Sequence, residues 1–205
     1  MALLEESARQ LYQEWFVRLR FPGHEHTHIT DGVPEGWKRC TLGECFTLKR
    51  GHDLPETHRV PGDFPVVSSS GVTGYHNEKK ADGPGVITGR YGTLGDVYYV
   101  QEDYWPHNTA LYVVDFKGNS ARVVYFFLKH ALHRAQSNNA AVPGLNRNVI
   151  HTFSIVWPST RFRDRFDEFV RPVFEQLGTL RLMSQKLRAA RDLLLPRLMS
   201  GEVTV

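Results

Sequence analysis

The chain has 205 residues, enough for one substantial core plus an appendage and a squeeze for two domains of ordinary size. Its 25 Lys and Arg against 22 Asp and Glu leave a net charge of +3, a balance that permits nucleic acid as a partner without demanding it. Two cysteines, Cys40 and Cys45, are too few for a disulfide framework, no charged-then-apolar leader opens the sequence, and no apolar run approaches the ~20 residues of a bilayer span; a cytoplasmic protein with no membrane role is expected.

Charge is unevenly placed. Residues 1–36 carry three Arg against six carboxylates, residues 37–160 carry 13 basic against 10 acidic residues, and residues 161–205 carry nine against six. In residues 2–20 Leu4, Ala8, Leu11, Trp15 and Leu19 recur at steps of three and four, the apolar stripe of an amphipathic helix. An N-terminal helical segment is thus expected over 1–21. Pro22, Gly23, Gly32, Pro34 and Gly36 then mark 22–36 as a linker.

From Trp37 the pattern changes to short β-prone runs, "FPVVSS", "GPGVITG", "GDVYYV", "TALYVVDF" and "FSIVWP", separated by Gly, Asn, Asp and Pro turns. That spacing predicts a mainly antiparallel sheet. The interruption "ARVVYFFLKHALHRAQ" has the length and period of a helix packed on it, so residues 37–159 read as one α+β domain. Residues 160–205 return to helix, with Phe166, Val173, Leu180, Leu187 and Leu194 at intervals of seven and a second seam of Phe169, Leu177, Met183, Ala190 and Leu198. Pro172 is expected to divide a short first helix from a long second one, because its ring excludes the usual backbone hydrogen bond.

The chemistry-bearing residues collect on turns. Ser69, Ser70, Tyr75, His76 and Asn77 lie on one Gly-rich segment, while Arg90, Tyr91 and Thr93 share "GRYGTLG"; Asn108, Asn146 and Arg147 occupy later turns. Such side chains hydrogen-bond phosphates and base edges, Arg suiting guanine and Asn adenine, although each also forms ordinary turns. Lys49, Arg50, Lys79 and Lys80 are candidates for phosphate contacts. "HEHTH", His24 to His28, could offer imidazoles to a transition metal, but a linker supplies no supporting shell, and no metal role is assigned. Phosphate-cradling "GxxxxGK" and nucleophile-elbow "GxSxG" motifs are lacking, so a catalytic role has little support.

Taken in order, "EGWKRCTLGECF", "FPVVSSSGVTGYHNE", "GPGVITGRYGTLGDVYYV", "WPHNTALYVV", "AVPGLNRNVI" and "RDLLLPRLMSGEV" resemble a target recognition domain followed by a conserved-region helix. That is the arrangement of the DNA specificity subunit of type I restriction-modification systems. "LLEESARQLYQEWFVRLRFPG" resembles the end of the family's other helical region. The resemblance implies a non-catalytic chain that binds double-stranded DNA and holds no cofactor. In the family, S-adenosylmethionine and ATP belong to the modification and restriction subunits it would partner. A full subunit has two recognition domains reading a bipartite site; this chain has one, as a half-size subunit or a piece of a full one would. Leu4, Leu11, Trp15 and Leu19 with Val173, Leu180, Leu187 and Leu194 are then the helix positions expected to hold a partner, most simply a second copy in a homodimer. The rival expectations are an assembly adaptor whose mixed domain binds protein, and a metal-dependent hydrolase using the linker histidines.

Overall fold

The computed structural model describes residues 1–90, 96–137 and 146–200. Helix α1, Ala2–Tyr12, runs into a wider π-turn at Gln13–Val17 and ends at Leu19, whose φ is 57°. The expected α-helix over 2–20 is therefore α-helical only in its first three turns. Tyr12, Trp15 and Phe16 remain on the buried face throughout. The stretch 22–36 is structured: a 3-10 turn at His24–His26 precedes a hairpin of β1, Ile29–Thr30, and β2, Val33–Pro34, closed by Asp31 and Gly32 at φ 51° and 73°.

The central elements follow as β3 (Lys38–Thr41), α2 (Leu42–Cys45), β4 (Thr47–Arg50), β5 (Phe64–Ser68), β6 (Gly71–His76), β7 (Gly85–Gly89), β8 (Val97–Val100), β9 (Trp105–Pro106), β10 (Ala110–Asp115), α3 (Ala121–Ser137), α4 (Arg147–His151) and β11 (Ser154–Trp157). An antiparallel sheet in the order β4-β10-β7-β8 lies beside a three-stranded sheet β6-β5-β9, in which β5 and β9 are parallel. A third pair joins β11 to β3. The α+β class expected from the alternating runs is the class observed. Strands β3, β4, β6 and β9 were not among the expected runs, being short, polar or rich in glycine.

One aromatic core ties the ends of the chain to the middle. Val86, Val97, Leu111 and Val113 of the sheet pack with Val123, Val124, Phe127 and Leu128 of α3, and the same cluster takes in Tyr12, Trp15 and Phe16. Helix α5, Thr160–Met199, adds Phe166, Val170 and Phe174. The Phe166 ring stands 5.0 Å from Phe16 and 5.4 Å from Phe126, both in edge-to-face geometry. Packing thus runs through the positions 21/22 and 159/160.

Pro172 does not divide the terminal helix: α5 continues through it for 40 residues, about 60 Å at 1.5 Å per residue. A helix-interior proline costs about 3 kcal/mol. Against that, Phe166, Val170, Phe174 and Leu177 are all buried on both sides of Pro172, which itself is exposed. Burying four such side chains contributes about 1.5–3 kcal/mol each. Straight docking therefore wins over the local rule.

An ion pair reinforces this docking. Asp167 accepts from Nε and Nη2 of Arg122 at 2.8 and 2.7 Å and from the Ser120 hydroxyl at the start of α3. Burial opposes the Asp167 charge, but these hydrogen bonds outweigh it and hold its carboxyl below the usual range. Further along, Gly178 rests against the loop after β8, where a Cβ would stand 2.2 Å from Oε1 of Gln101. Beyond Gly178 the helix keeps polar contacts with the body through Arg181 to Glu5 and Gln185 to Tyr75, while Leu182, Met183, Leu187, Leu193, Leu194 and Leu195 are all at least half exposed, or nearly so.

Candidate nucleic-acid interface

The turn His107–Ala110, between β9 and β10, is where the loops of the domain meet. It closes when the Ala110 N–H donates to the His107 carbonyl at 3.0 Å. The carbonyl of Asn108 is left outside the turn and accepts from Nε of Arg50 and Nη1 of Arg90, each at 3.2 Å. Nδ2 of Asn108 donates to the Asp53 carboxylate. The Ser69 N–H reaches Oγ1 of Thr109 at 3.4 Å, and that hydroxyl lies 3.0 Å from Nδ1 of His107.

Close backbone approach makes this possible. Gly51 follows β4, and a Cβ there would stand 2.2 Å from the His107 carbonyl oxygen, so only glycine lets the two chains pass. The contact brings the run Arg50-Gly51-His52-Asp53 against the turn, with the His52 N–H donating to the Pro106 carbonyl at 2.8 Å. Burial pushes the His52 and His107 imidazoles below their ordinary pKa, with Lys49 and Lys80 adding to the shift at His52 and Arg59 at His107. Both shifts favour the neutral imidazole. The positive charge at the turn comes from Arg50 and Arg90, against the carboxylate of Asp53, while Arg59 donates from Nη1 to the Thr73 carbonyl of β6 at 2.9 Å.

Of the residues expected to bind DNA, the fold brings together Arg50, Ser69, Arg90 and Asn108, with Ser70 next to them on the β5–β6 turn, its hydroxyl 3.0 Å from that of Ser68. Lys49 is exposed on β4, opposite Tyr112. The others lie elsewhere. Tyr75 and His76 end β6 away from that turn; the Tyr75 hydroxyl accepts from Gln185 of α5 at 3.3 Å, while His76 is buried with its ring 5.1 Å from Trp105. Asn77 is exposed beyond them. Lys79 bridges Asp103 and Asp82 at 2.6 and 2.7 Å, contacts that raise its pKa, so its ammonium already has carboxylate partners. Lys80 lies 4.9 Å over the Trp105 ring and 3.8 Å from Glu78. Asn146 caps α4 by accepting from the Asn148 N–H at 2.9 Å, and Arg147 is exposed on that helix. Tyr91 and Thr93 lie outside the described residues.

Asp53, His107 and Thr109 were missed by sequence reasoning. The signal that could have found Asp53 is the turn-like "GHD" directly after a β-prone "TLKR". Among the described residues, His24, His26 and His28 included, no group of three or more His, Cys, Asp or Glu is placed to hold an ion. Cys40 and Cys45 are free, buried thiols with their sulfurs 3.4 Å apart. Among the described residues no helix is long and apolar enough to cross a membrane.

A second concave surface has the opposite electrostatics. The cleft of about 1130 Å³ between α1, α3, β8 and α5 is lined by Glu5, Glu6, Asp96, Glu102 and Glu175 against three cations. Arg9 pairs with Glu6 and Arg181 with Glu5, and the carboxylates left in excess disfavour phosphates. What the His107–Ala110 end can do is donate and accept hydrogen bonds at a positively charged surface, the chemistry that phosphates and base edges require.

Residues 34–161 match the model of the type I restriction modification DNA specificity domain. The specificity subunit of the type I restriction enzyme EcoprrI from Escherichia coli is 24% identical over 151 residues, covering 67% of this chain and 38% of that protein. Among solved structures, the type I restriction-modification S subunit from M. genitalium superposes with a TM-score of 0.72 at 19% identity over 96% of this chain and 55% of its own. The HsdS subunit from Thermoanaerobacter tengcongensis gives 0.57 at 13% identity over 98% and 51%. The chain thus spans about half the length of these solved relatives and less of the curated one. With the greater part of its length matched and the fold shared, this chain belongs to the type I restriction-modification DNA specificity family.

Proposed function

We propose that this chain reads one half of a bipartite double-stranded DNA site and directs partner modification and restriction subunits to it, performing no chemistry itself. The observation that carries the reading is the meeting of two guanidiniums, an amide and the Thr109 hydroxyl at the His107–Ala110 turn, on loops from four separate strands. In this reading S-adenosylmethionine and ATP sit on the partners. The setting is the cytoplasm, where the host DNA is.

The distal half of α5 supports a homodimer. Beyond Arg181, which pairs with Glu5 of its own chain at 3.0 Å, it carries Lys186, Arg188, Arg191 and Arg197 against Asp192 up to residue 200, alongside its exposed leucines, whereas the cleft beside α1 has carboxylates in excess. A second copy running antiparallel would lay each basic arm along the other's acidic cleft, under two-fold symmetry. The two recognition domains would then stand at opposite ends and read an inverted repeat.

Light scattering at micromolar concentration is expected to give the mass of two chains. Methylome sequencing of a host expressing the chain with its cognate modification subunit is expected to return a two-part motif with inverted symmetry. A single-chain mass at every concentration removes the dimer, and a motif without inverted symmetry removes the symmetric reading. Should the chain bind random duplex no better at low salt than at high, the adaptor reading takes its place.

A further inference from the structure

Asn108 is held in an unusual way for a turn residue. A turn-forming asparagine ordinarily turns its side-chain oxygen back onto the backbone N–H two residues on. Here that N–H, from Ala110, donates to the His107 carbonyl instead. The Asn108 amide points the other way and donates from Nδ2 to Asp53, 55 positions distant in sequence. Its main-chain carbonyl is clamped between Arg50 and Arg90, so the residue is fixed from both its backbone and its side chain.

A primary amide has two N–H donors and one acceptor oxygen. With one donor taken by Asp53, the other N–H and Oδ1 are left to a ligand, and Asn108 is a partly exposed residue. A donor beside an acceptor matches N7 and the N6 amino group of adenine in the major groove, whereas a guanine or a pyrimidine there would leave at least one of the two unpaired. The flanking guanidiniums stand where a duplex seated on this turn would bring its backbone or neighbouring bases. Resting on the reading of the chain as a DNA-recognition subunit, the geometry points to Asn108 as the residue that reads one adenine of the target, with Asp53 as its positioning residue.

Selection from a randomised duplex library by the intact chain, at micromolar protein and low salt, tests this directly. The wild-type motif is expected to contain an adenine at which Asn108→Ala lowers discrimination by about 5- to 100-fold, leaving the other positions unchanged. Asp53→Ala is expected to relax the same position more weakly. The paired exchange Asp53→Asn with Asn108→Asp keeps the net charge and the local hydrogen bond but makes position 108 an acceptor alone. It is expected to move that base from adenine toward cytosine, whose N4 amino group donates. If Asn108→Ala fails to fold, as a melting curve would reveal, the exchange decides by itself. An unchanged motif or a uniform loss over all sequences in Asn108→Ala, or retention of adenine in the exchange, overturns the assignment. A wild-type chain that selects no motif removes the DNA-reading function and the assignment with it.

Discussion

The two halves of α5 share one seven-residue pattern and meet opposite surroundings. From Thr160 to Leu177 the apolar face is packed: Phe166, Val170 and Phe174 are buried in one cluster with α1 and α3, and Leu177 is buried beyond them. Past Gly178 the same kind of face is open, with Leu187 at 70% and Leu194 at 49% exposure. Apolar periodicity therefore says which side of a helix avoids water, and does not say whether the cover comes from the same chain.

The sharpest way to break this comparison is to damage the buried half. Phe166 is fully buried and touches the rings of Tyr12, Trp15, Phe16 and Phe126, so Phe166→Ala is expected to cost about 3–5 kcal/mol in urea unfolding. Because the core is shared, the loss should appear as one transition seen alike by helix and aromatic signals. Two separated transitions would mean that the proximal helix is an independent unit.

Asp167→Ala should follow closely, at about 3 kcal/mol, since it leaves Arg122 half-buried without its carboxylate. The same pair sets an acid limit. A carboxyl whose folded pKa is depressed contributes fully above its unfolded value, about 4, and the contribution fades as the pH falls through the lower folded value. Wild type should thus lose stability below about pH 4 more steeply than Asp167→Ala; parallel acid limbs would show that the ion pair does not anchor α5.

The smallest effect is expected in the open half. Leu187→Asp should change the unfolding free energy of the single chain by less than about 0.5 kcal/mol, as substitutions at exposed positions usually do. Its effect should fall on association instead, with the two-chain mass lost in light scattering while circular dichroism stays unchanged. A large loss of single-chain stability would show that the distal half folds back onto its own body.

Both terminal helices and five of the strands were legible because a repeat of 3.6 or 2 in apolar residues is a local property. The continuity of α5 was not, since the proline rule is also local and the packing that overrides it involves Tyr12, Trp15, Phe16 and Phe126 from far away in sequence. At the candidate interface, Arg50, Ser69, Arg90 and Asn108 were readable as polar side chains on glycine-rich turns. Asp53 and Thr109 were not, because their parts in it depend on contacts spanning 55 and 40 residues. Tyr75 and His76 were grouped with Ser69 by closeness in sequence, yet an extended strand rises ~3.3 Å per residue and carries them to the other end of β6.

Residue order by itself determined the α+β class, the apolar faces of the helices and the store of arginine, asparagine and serine on turns, since propensity, periodicity and turn chemistry act within a few residues. Tertiary structure alone decided which of those turns meet at His107–Ala110, that an acidic cleft lies beside α1, and how much of the terminal helix stays uncovered. Each of these depends on the close packing of segments tens of residues apart, where a missing Cβ at Gly51 or a buried carboxylate at Asp167 settles what can touch.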